Sequence, residues 1–158
     1  MAKKEASERC RKMLGMVGLL EFAGSFPHEL SGGMQQRTAL ARGLVTEPHI
    51  LLLDEPFASL DERTAMILQD TVRELCKKLS TTVVFVTHNI DEAVYLADRI
   101  VVMGQRPGFI ARDETVNLNW PRNRLSQPFT ELLLSVRRTF EELVDPCLSS
   151  LPQMKEQE

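Results

Sequence analysis

Two short aliphatic runs stand out in the pattern of apolar and polar positions along the chain. Residues 50–53 and 82–86 are continuously apolar or β-branched, and such continuity is typical of buried parallel strands. Between them, apolar side chains recur at the spacing of one helical face, at Leu68, Val72, Leu75 and Leu79. The pattern therefore predicts a strand, a helix over 61–79, and a second strand.

The rest of the chain continues this alternation. Helices are predicted over residues 4–17, 31–46, 90–97 and 129–143, and shorter strands over 99–103 and 109–111. The order strand, helix, strand, helix, strand predicts an α/β domain with a parallel sheet. The polar, proline-punctuated stretch 117–128 is expected to be a surface connection, and residues 151–158 a loose tail.

Composition limits the classes of function. The chain has 158 residues, 43% of them hydrophobic, which suits a single globular domain. Its net charge of -3 argues against nucleic acid as a partner. Three widely separated cysteines favour a reduced setting, namely Cys10, Cys76 and Cys147. No apolar run could cross a bilayer and no secretory signal is visible, so we expect any membrane role to act through a partner.

Two carboxylates close the first aliphatic run, Asp54 and Glu55. The carboxyl ends of strands are where ligands bind in open α/β sheets. In P-loop NTPases the first acid holds Mg²⁺, and the second would act as general base on the attacking water. The alternative is a core strand that simply ends in two solvated acids.

Leu30-Ser31-Gly32-Gly33 forms a second element, at the predicted start of a helix. Two glycines there expose backbone N–H groups and bring the positive end of the helix dipole close to an anion. The alternative is an ordinary Ser-Gly-Gly loop that caps the helix. His88 ends the second aliphatic run, and by itself it could be a strand-end histidine without a ligand.

The order and separation of these elements resemble the ABC ATPase family. The segment LSGG at 30–33 is similar to the signature motif of the family, and ILLLDEP at 50–56 to its Walker B motif. ASLD at 58–61 is similar to the D-loop, and VTH at 86–88 to the switch-histidine loop. The resemblance covers about residues 5–111.

The resemblance implies a partial P-loop NTPase domain of the ABC ATPase type. It would have a mostly parallel sheet flanked by helices, with part of the helical subdomain at the N-terminus. Residues 1–115 would form the C-terminal part of the nucleotide-binding domain. Residues 116–158 would be an extension with one amphipathic helix.

The resemblance also implies roles for individual residues. Two modules of this family enclose two ATP molecules head to tail, so Ser31, Gly32 and Gly33 would bind the nucleotide held by a second subunit. Asp54 would position Mg²⁺, Glu55 would activate water, and His88 would contact the γ-phosphate. Asp61 would communicate across the dimer.

Further stretches are similar to importer ATPases, including residues 27–37, Asp91-Glu92-Ala93 and 96–99. Arg106-Pro107-Gly108 is similar to the nitrate/sulfonate/taurine branch. The implied partners are a second ATPase subunit and membrane permease subunits. The implied location is cytoplasmic, peripheral on the inner face of the membrane.

Departures from the family pattern leave alternatives open. Met34 replaces a glutamine, Asn89 replaces a frequent aspartate, and no G-x-x-x-x-G-K-[ST] motif occurs in the chain. The family's P-loop and Q-loop would lie upstream of Met1, so turnover by this chain alone is not expected. The missing strands would leave an uncovered apolar sheet face, making the chain poorly stable or self-associating.

Three functions therefore compete. The first is the ATPase of an importer, present as a truncated or split chain. The second is a non-catalytic module that contributes signature and Walker B elements without turnover. The third, an ABC-type protein acting on DNA or ribosomes, is disfavoured by the acidic balance and the absence of coiled-coil heptads.

Overall fold

The structure is a computed structural model that describes residues 3–104 and 107–143. Within these ranges the chain divides into two compact units, one ending at Thr87 and the other beginning at His88. The helices and strands are α1 (Lys3–Met16), α2 (Gly32–Leu44), β1 (Ile50–Asp54), α3 (Glu62–Lys78), β2 (Thr82–Val86), α4 (Ile90–Leu96), β3 (Arg99–Gly104), β4 (Phe109–Thr115) and α5 (Gln127–Leu143).

Every helix and strand predicted within the described ranges is present, with most ends shifted by one or two residues. The fourth strand differs more, because β4 continues to Thr115 instead of ending at Ala111. Two short 3-10 helices were not predicted, Leu20–Phe22 and Pro27–Glu29. The predicted loose tail and Cys147 lie outside the described residues.

Side-chain caps fix two helix starts in the first unit. Ser31 Oγ accepts a hydrogen bond from the Met34 N–H at 3.3 Å, so α2 begins at the residue that the sequence predicts. A carboxylate oxygen of Asp61 accepts one from the Thr64 N–H at 3.0 Å at the start of α3. Each cap satisfies a backbone donor that the first helical turn leaves without a partner.

Strands β1 and β2 pair in parallel, with Ile50 opposite Thr82 and Asp54 opposite Val86. The helix α3 connects them along the chain, as expected of a β-α-β unit. A further hydrogen bond beyond the last strand pair joins the Glu55 N–H to the Val86 carbonyl at 2.9 Å. The pairing therefore continues through the residue that follows β1.

The prediction that both strands are buried is wrong for the described chain. Leu51 is buried, and the position of a Cβ on Gly43 would lie 3.1 Å from its side chain, so α2 covers this side of β1. The alternate positions are open, with Ile50 64% and Leu52 72% exposed. On β2, Val84 is 51% exposed. Aliphatic continuity indicated two covered faces, but among the described residues only one is covered. The expected uncovered apolar face is thus confirmed.

We predict that this exposed face makes the isolated chain self-associate. Leu52→Lys should weaken the association by about tenfold or more, because burying a leucine contributes about 1.5–3 kcal/mol and 1.4 kcal/mol is a factor of ten. Sedimentation at several protein concentrations measures the effect. The control is Leu125→Lys, since Leu125 is 92% exposed and lies away from both strands in the sequence. Monomeric behaviour of the unmodified chain at all concentrations contradicts the prediction.

The second unit contains an antiparallel pair of strands. Arg99 of β3 lies opposite Thr115 of β4, and the register shifts between Val102 and Met103. Arg99 also pairs with Asp113 across the two strands through two hydrogen bonds. The third predicted strand therefore pairs with the fourth, in a sheet separate from β1 and β2 among the described strands.

The terminal helix α5 packs against α4, β3 and β4. Its Phe129 and Val136 are buried in one cluster with Val94 and Ile100. The amphipathic helix that the sequence predicts thus packs within the unit that begins at His88. The predicted domain division at 115/116 stays a prediction.

Arg122 is a buried cation in the segment that precedes α5. Its guanidinium donates hydrogen bonds to the carbonyls of Val94, Tyr95 and Ala97 at 2.8–2.9 Å, and Asp98 lies 3.8 Å away. These carbonyls belong to the C-terminal end of α4, where the helix leaves acceptors without intrahelical partners. The connection 117–126 is therefore fastened to α4 by a charged side chain.

Arg122→Met should reduce the free energy of unfolding by about 2 kcal/mol or more, because it leaves several buried carbonyls without donors. Urea unfolding followed by far-UV circular dichroism measures the loss. Arg124→Met is the control, since Arg124 is partly exposed, pairs with Asp91 and lies over the Tyr95 ring. That variant should lose about 0.5–1 kcal/mol. Equal losses of unfolding free energy in both variants would contradict the stabilising role assigned to the Arg122 hydrogen bonds.

Candidate functional site

The N-terminal turn of α2 carries the predicted anion-binding residues. Ser31 is the exposed N-cap, and Gly32 and Gly33 are the first two helical residues. A Cβ on Gly33 would lie 3.1 Å from Leu60 Cδ2 and 3.4 Å from the Ser59 carbonyl oxygen. The missing side chain thus allows α2 to approach the segment that follows Glu55.

The carboxylate pair lies at the carboxyl end of β1, as predicted. Asp54 is the last strand residue and is exposed, whereas Glu55 is partly buried. Glu55 has a φ of 45°, in the left-handed region that non-glycine residues rarely adopt. The chain therefore turns sharply directly after the strand, and functional sites often contain such residues.

Gln36 connects these two elements. Its Nε2 donates to the Glu55 carbonyl oxygen at 2.6 Å, and its Oε1 accepts from the Ser59 N–H at 3.1 Å. The structure thus brings the first turns of α2 together with the Glu55 to Leu60 segment. Nothing local in the sequence relates Gln36 to a residue nineteen positions away, so this contact is not predictable from a motif.

Asp61 lies at the end of the same segment. Hydrogen bonds from Thr64, from its side chain first and its backbone second, lower the pKa of the Asp61 carboxyl from its ordinary value of 3.8. The geometry shows a helix cap. A role for Asp61 between subunits stays a prediction.

His88 belongs to the second unit and lies between β2 and α4. The next residue, Asn89, is the N-cap of α4 and accepts hydrogen bonds from the N–H groups of Asp91 and Glu92 at 3.0 and 3.4 Å. His88 therefore directly precedes a capped helix. Its predicted contact with the γ-phosphate stays a prediction.

Mg²⁺ is the metal that the predicted chemistry would require. Among residues 3–104 and 107–143, no group of three or more histidine, cysteine or acidic side chains could hold a metal ion by itself. Mg²⁺ usually takes one or two protein carboxylates and completes its coordination with phosphate oxygens and water. The exposed oxygens of Asp54 next to Glu55 fit this mode of binding.

Comparison with known proteins connects this geometry to a family. A family model described as ABC transporter matches residues 1–58. An uncharacterized ABC transporter ATP-binding protein of Methanocaldococcus jannaschii is 46% identical over 149 residues, which are 94% of this chain and 55% of that protein. Nearly the whole of this chain is therefore similar to about half of an ABC transporter ATP-binding protein.

Other relatives of this chain are named as importers. The aliphatic sulfonates import ATP-binding protein SsuB of Bacillus thuringiensis is 44% identical over 138 residues, covering 87% of this chain and 55% of that protein. The SsuB 1 protein of Xanthomonas axonopodis is 48% identical over 123 residues, covering 78% of this chain and 49% of that protein. The chain thus spans about half the length of the curated relatives it matches.

A solved structure agrees with the sequence comparisons. The ABC transporter cassette MJ0796, solved as a dimer, matches with a TM-score of 0.67 and 36% identity over 74% of this chain and 50% of that one. A second structure of that cassette is a post-hydrolysis state bound to ADP and Pi. The fold class is therefore a partial ABC ATPase cassette, as predicted.

No helix in the described part of this chain is both long and apolar enough to span a membrane.

The lowered pKa of Asp61 leads to a prediction on pH. Because the folded-state pKa lies below 3.8, the cap stabilises the fold above that pH and its contribution is lost as the pH falls through the folded-state value. Thr64→Ala removes the largest cause and should move the pKa of Asp61 back toward 3.8. Carbon-detected NMR titration of the carboxyl measures the midpoint.

The matched control for this titration is Thr71→Ala. The hydroxyl of Thr71 donates to the Ile67 carbonyl in the same helix and leaves the cap intact. A midpoint for Asp61 that is the same in both variants would show that Thr64 does not lower its pKa.

Proposed function

We propose that this chain is the ATP-binding and ATP-hydrolysing part of an ABC importer subunit. The observation that carries the proposal is the carboxylate pair, Asp54 and Glu55, at the end of a parallel strand beside the N-terminus of α2. The N-terminus of α2 can bind an anion, and the two carboxylates can bind a metal ion and activate a water molecule. The named relatives support aliphatic sulfonates, or a similar anion, as the imported solute.

Each element has a distinct role in this proposal. The Glu55 carboxylate accepts the proton of the attacking water, and Asp54 holds Mg²⁺, which when bound neutralises charge on the phosphates. The N–H groups of Gly32 and Gly33, with the Ser31 hydroxyl, bind the phosphates of ATP held by a second subunit. His88 donates a hydrogen bond to the γ-phosphate, and Asp61 contacts the partner subunit.

The partners are a second ABC subunit and membrane permease subunits, which would hold this part at the cytoplasmic face of the membrane. The dimeric form of the solved cassette supports the first partner, and the import names of the relatives support the second.

The alternative is a non-catalytic module that contributes the signature and Walker B elements to another protein without turnover of its own.

The main test uses a chimaera in which this chain replaces the matching part of the Bacillus thuringiensis SsuB protein. Glu55→Gln should reduce ATP hydrolysis by about a hundredfold or more, because a general base contributes about 10²–10⁴ to the rate. ATP affinity should remain, since the amide conserves size and position. Hydrolysis and equilibrium ATP binding are measured on the same preparation. The control is Glu62→Gln, an exposed residue in the first turn of α3.

Ser31→Arg in the same chimaera should prevent ATP-dependent dimerisation and leave ATP binding by each subunit intact. Loss of ATP binding in both the Glu55 and Ser31 variants would show that the roles are misassigned. A chimaera that binds ATP without turnover, while SsuB itself hydrolyses it, would favour the non-catalytic module.

A further inference from the structure

We propose that Gln36 is a positioning residue that fixes the backbone of Glu55 and the turn after it to helix α2. The inference rests on the proposed role of Glu55 as general base. It adds a residue whose side chain holds that base in place without touching the nucleotide.

The nitrogen and the oxygen of the Gln36 carboxamide both form hydrogen bonds with the segment from Glu55 to Leu60. The Nε2 group donates to the Glu55 carbonyl at 2.6 Å, and Oε1 accepts from the Ser59 N–H at 3.1 Å. The bond to the Glu55 carbonyl is partly buried, which reduces competition from water, whereas the bond from the Ser59 N–H is exposed. A glutamine provides a donor and an acceptor on one planar group, so it can hold two backbone groups four residues apart.

The position of this contact has a physical reason. Glu55 has a φ of 45°, and a residue with a Cβ adopts this conformation only when its surroundings hold it there. The Glu55 N–H donates to the Val86 carbonyl at 2.9 Å, and the Glu55 carbonyl accepts from Gln36. Both backbone polar groups of the strained residue are therefore bonded, one to β2 and one to α2.

A close approach at Gly33 gives a second contact between α2 and this segment. Because a Cβ at that position would lie 3.1 Å from Leu60 Cδ2, the helix and the turn are in direct contact one helical turn before Gln36. Helix α2 thus carries Gly32 and Gly33, which are proposed to bind a nucleotide, and also contacts Glu55, which is proposed to activate water. A displacement of the α2 N-terminus would be transmitted to Glu55 through Gln36.

The neighbouring glutamine supplies a matched control. Gln35 Nε2 donates to the carbonyls of Pro27 and Leu30 at 2.8 and 3.2 Å, on the segment before α2. Gln35 and Gln36 are therefore adjacent, identical in chemistry, and bonded to different segments. Substitution of each by methionine removes a carboxamide from the same helix at nearly constant size.

The experiment is NMR on the purified chain without nucleotide. In Gln36→Met, exchange of the Ser59 amide with solvent should accelerate about fivefold or more, as expected for the loss of one intramolecular hydrogen bond. The carbonyl chemical shift of Glu55 should also move, because that oxygen loses the Gln36 donor at 2.6 Å and keeps the Ala58 N–H at 3.3 Å. Gln35→Met should leave both signals unchanged.

Gln36→Glu separates the two bonds and serves if the methionine variant does not fold. Its carboxylate can still accept from the Ser59 N–H but cannot donate to the Glu55 carbonyl. The exchange of Ser59 should therefore remain slow while the Glu55 carbonyl signal moves. Identical signals in the unmodified chain and both Gln36 variants would overturn the proposal.

The functional arm uses the SsuB chimaera. Gln36→Met should lower kcat for ATP hydrolysis about tenfold with KM for ATP unchanged, because the base is displaced while the binding groups remain. Gln35→Met should retain both constants. An unchanged kcat in Gln36→Met, despite the NMR changes, would overturn the positioning role. The proposed function is tested by a different variant: it fails if Glu55→Gln retains ATP hydrolysis. The NMR result on Gln36 does not depend on that outcome.

Discussion

The parallel pairing of β1 with β2 determines where the chemistry of the first unit can lie. The register ends with Asp54 opposite Val86, so both carboxylates leave the sheet at its carboxyl edge. One more hydrogen bond, from the Glu55 N–H to Val86, holds the chain as it turns into a left-handed conformation. That conformation costs about 1–2 kcal/mol for a residue with a Cβ. Its persistence requires support from both sides, and β2 and α2 provide it.

Local sequence signals predicted the elements of the fold well, for identifiable reasons. Ser31 and Asp61 are helix caps whose partners lie three residues away, within the reach of a sequence motif. The apolar spacing in α3 likewise reflects one helical face, on which Leu68 and Val72 are buried. Signals of this kind depend only on near neighbours, so they predict where an element begins and which side it buries.

Features that depend on distant residues were not predictable in the same way. The contact of Gln36 with Glu55 crosses nineteen positions, and no periodicity reports it. The exposed side of β1 depends on which element would cover it, and the aliphatic run alone gives no sign of that. Arg122 is buried although arginine is usually a surface residue, because the end of α4 offers it several carbonyls. Roles assigned from family motifs, such as that of His88, also depend on groups beyond the described residues.

The connection before α5 is more than a link between two elements. Arg122 bonds the C-terminal end of α4, and Arg124 pairs with Asp91 near its N-terminal end while its guanidinium lies 3.5 Å from the Tyr95 ring centre. Two cations from one short segment thus hold both ends of the helix that follows His88. A connection that the sequence presents as a polar surface stretch therefore fixes the helix that begins just after that histidine.

The aromatic contact between Tyr95 and Trp120 gives the second unit an intrinsic optical label. The chain contains one tyrosine and one tryptophan, and their ring centres lie 5.0 Å apart in an edge-on arrangement. At this separation, excitation energy is transferred efficiently from the tyrosine ring to the tryptophan ring, and unfolding of the unit reduces that transfer. The first unit contains neither chromophore, so near-ultraviolet emission reports on the C-terminal half alone and separates its melting from that of the sheet bearing Glu55.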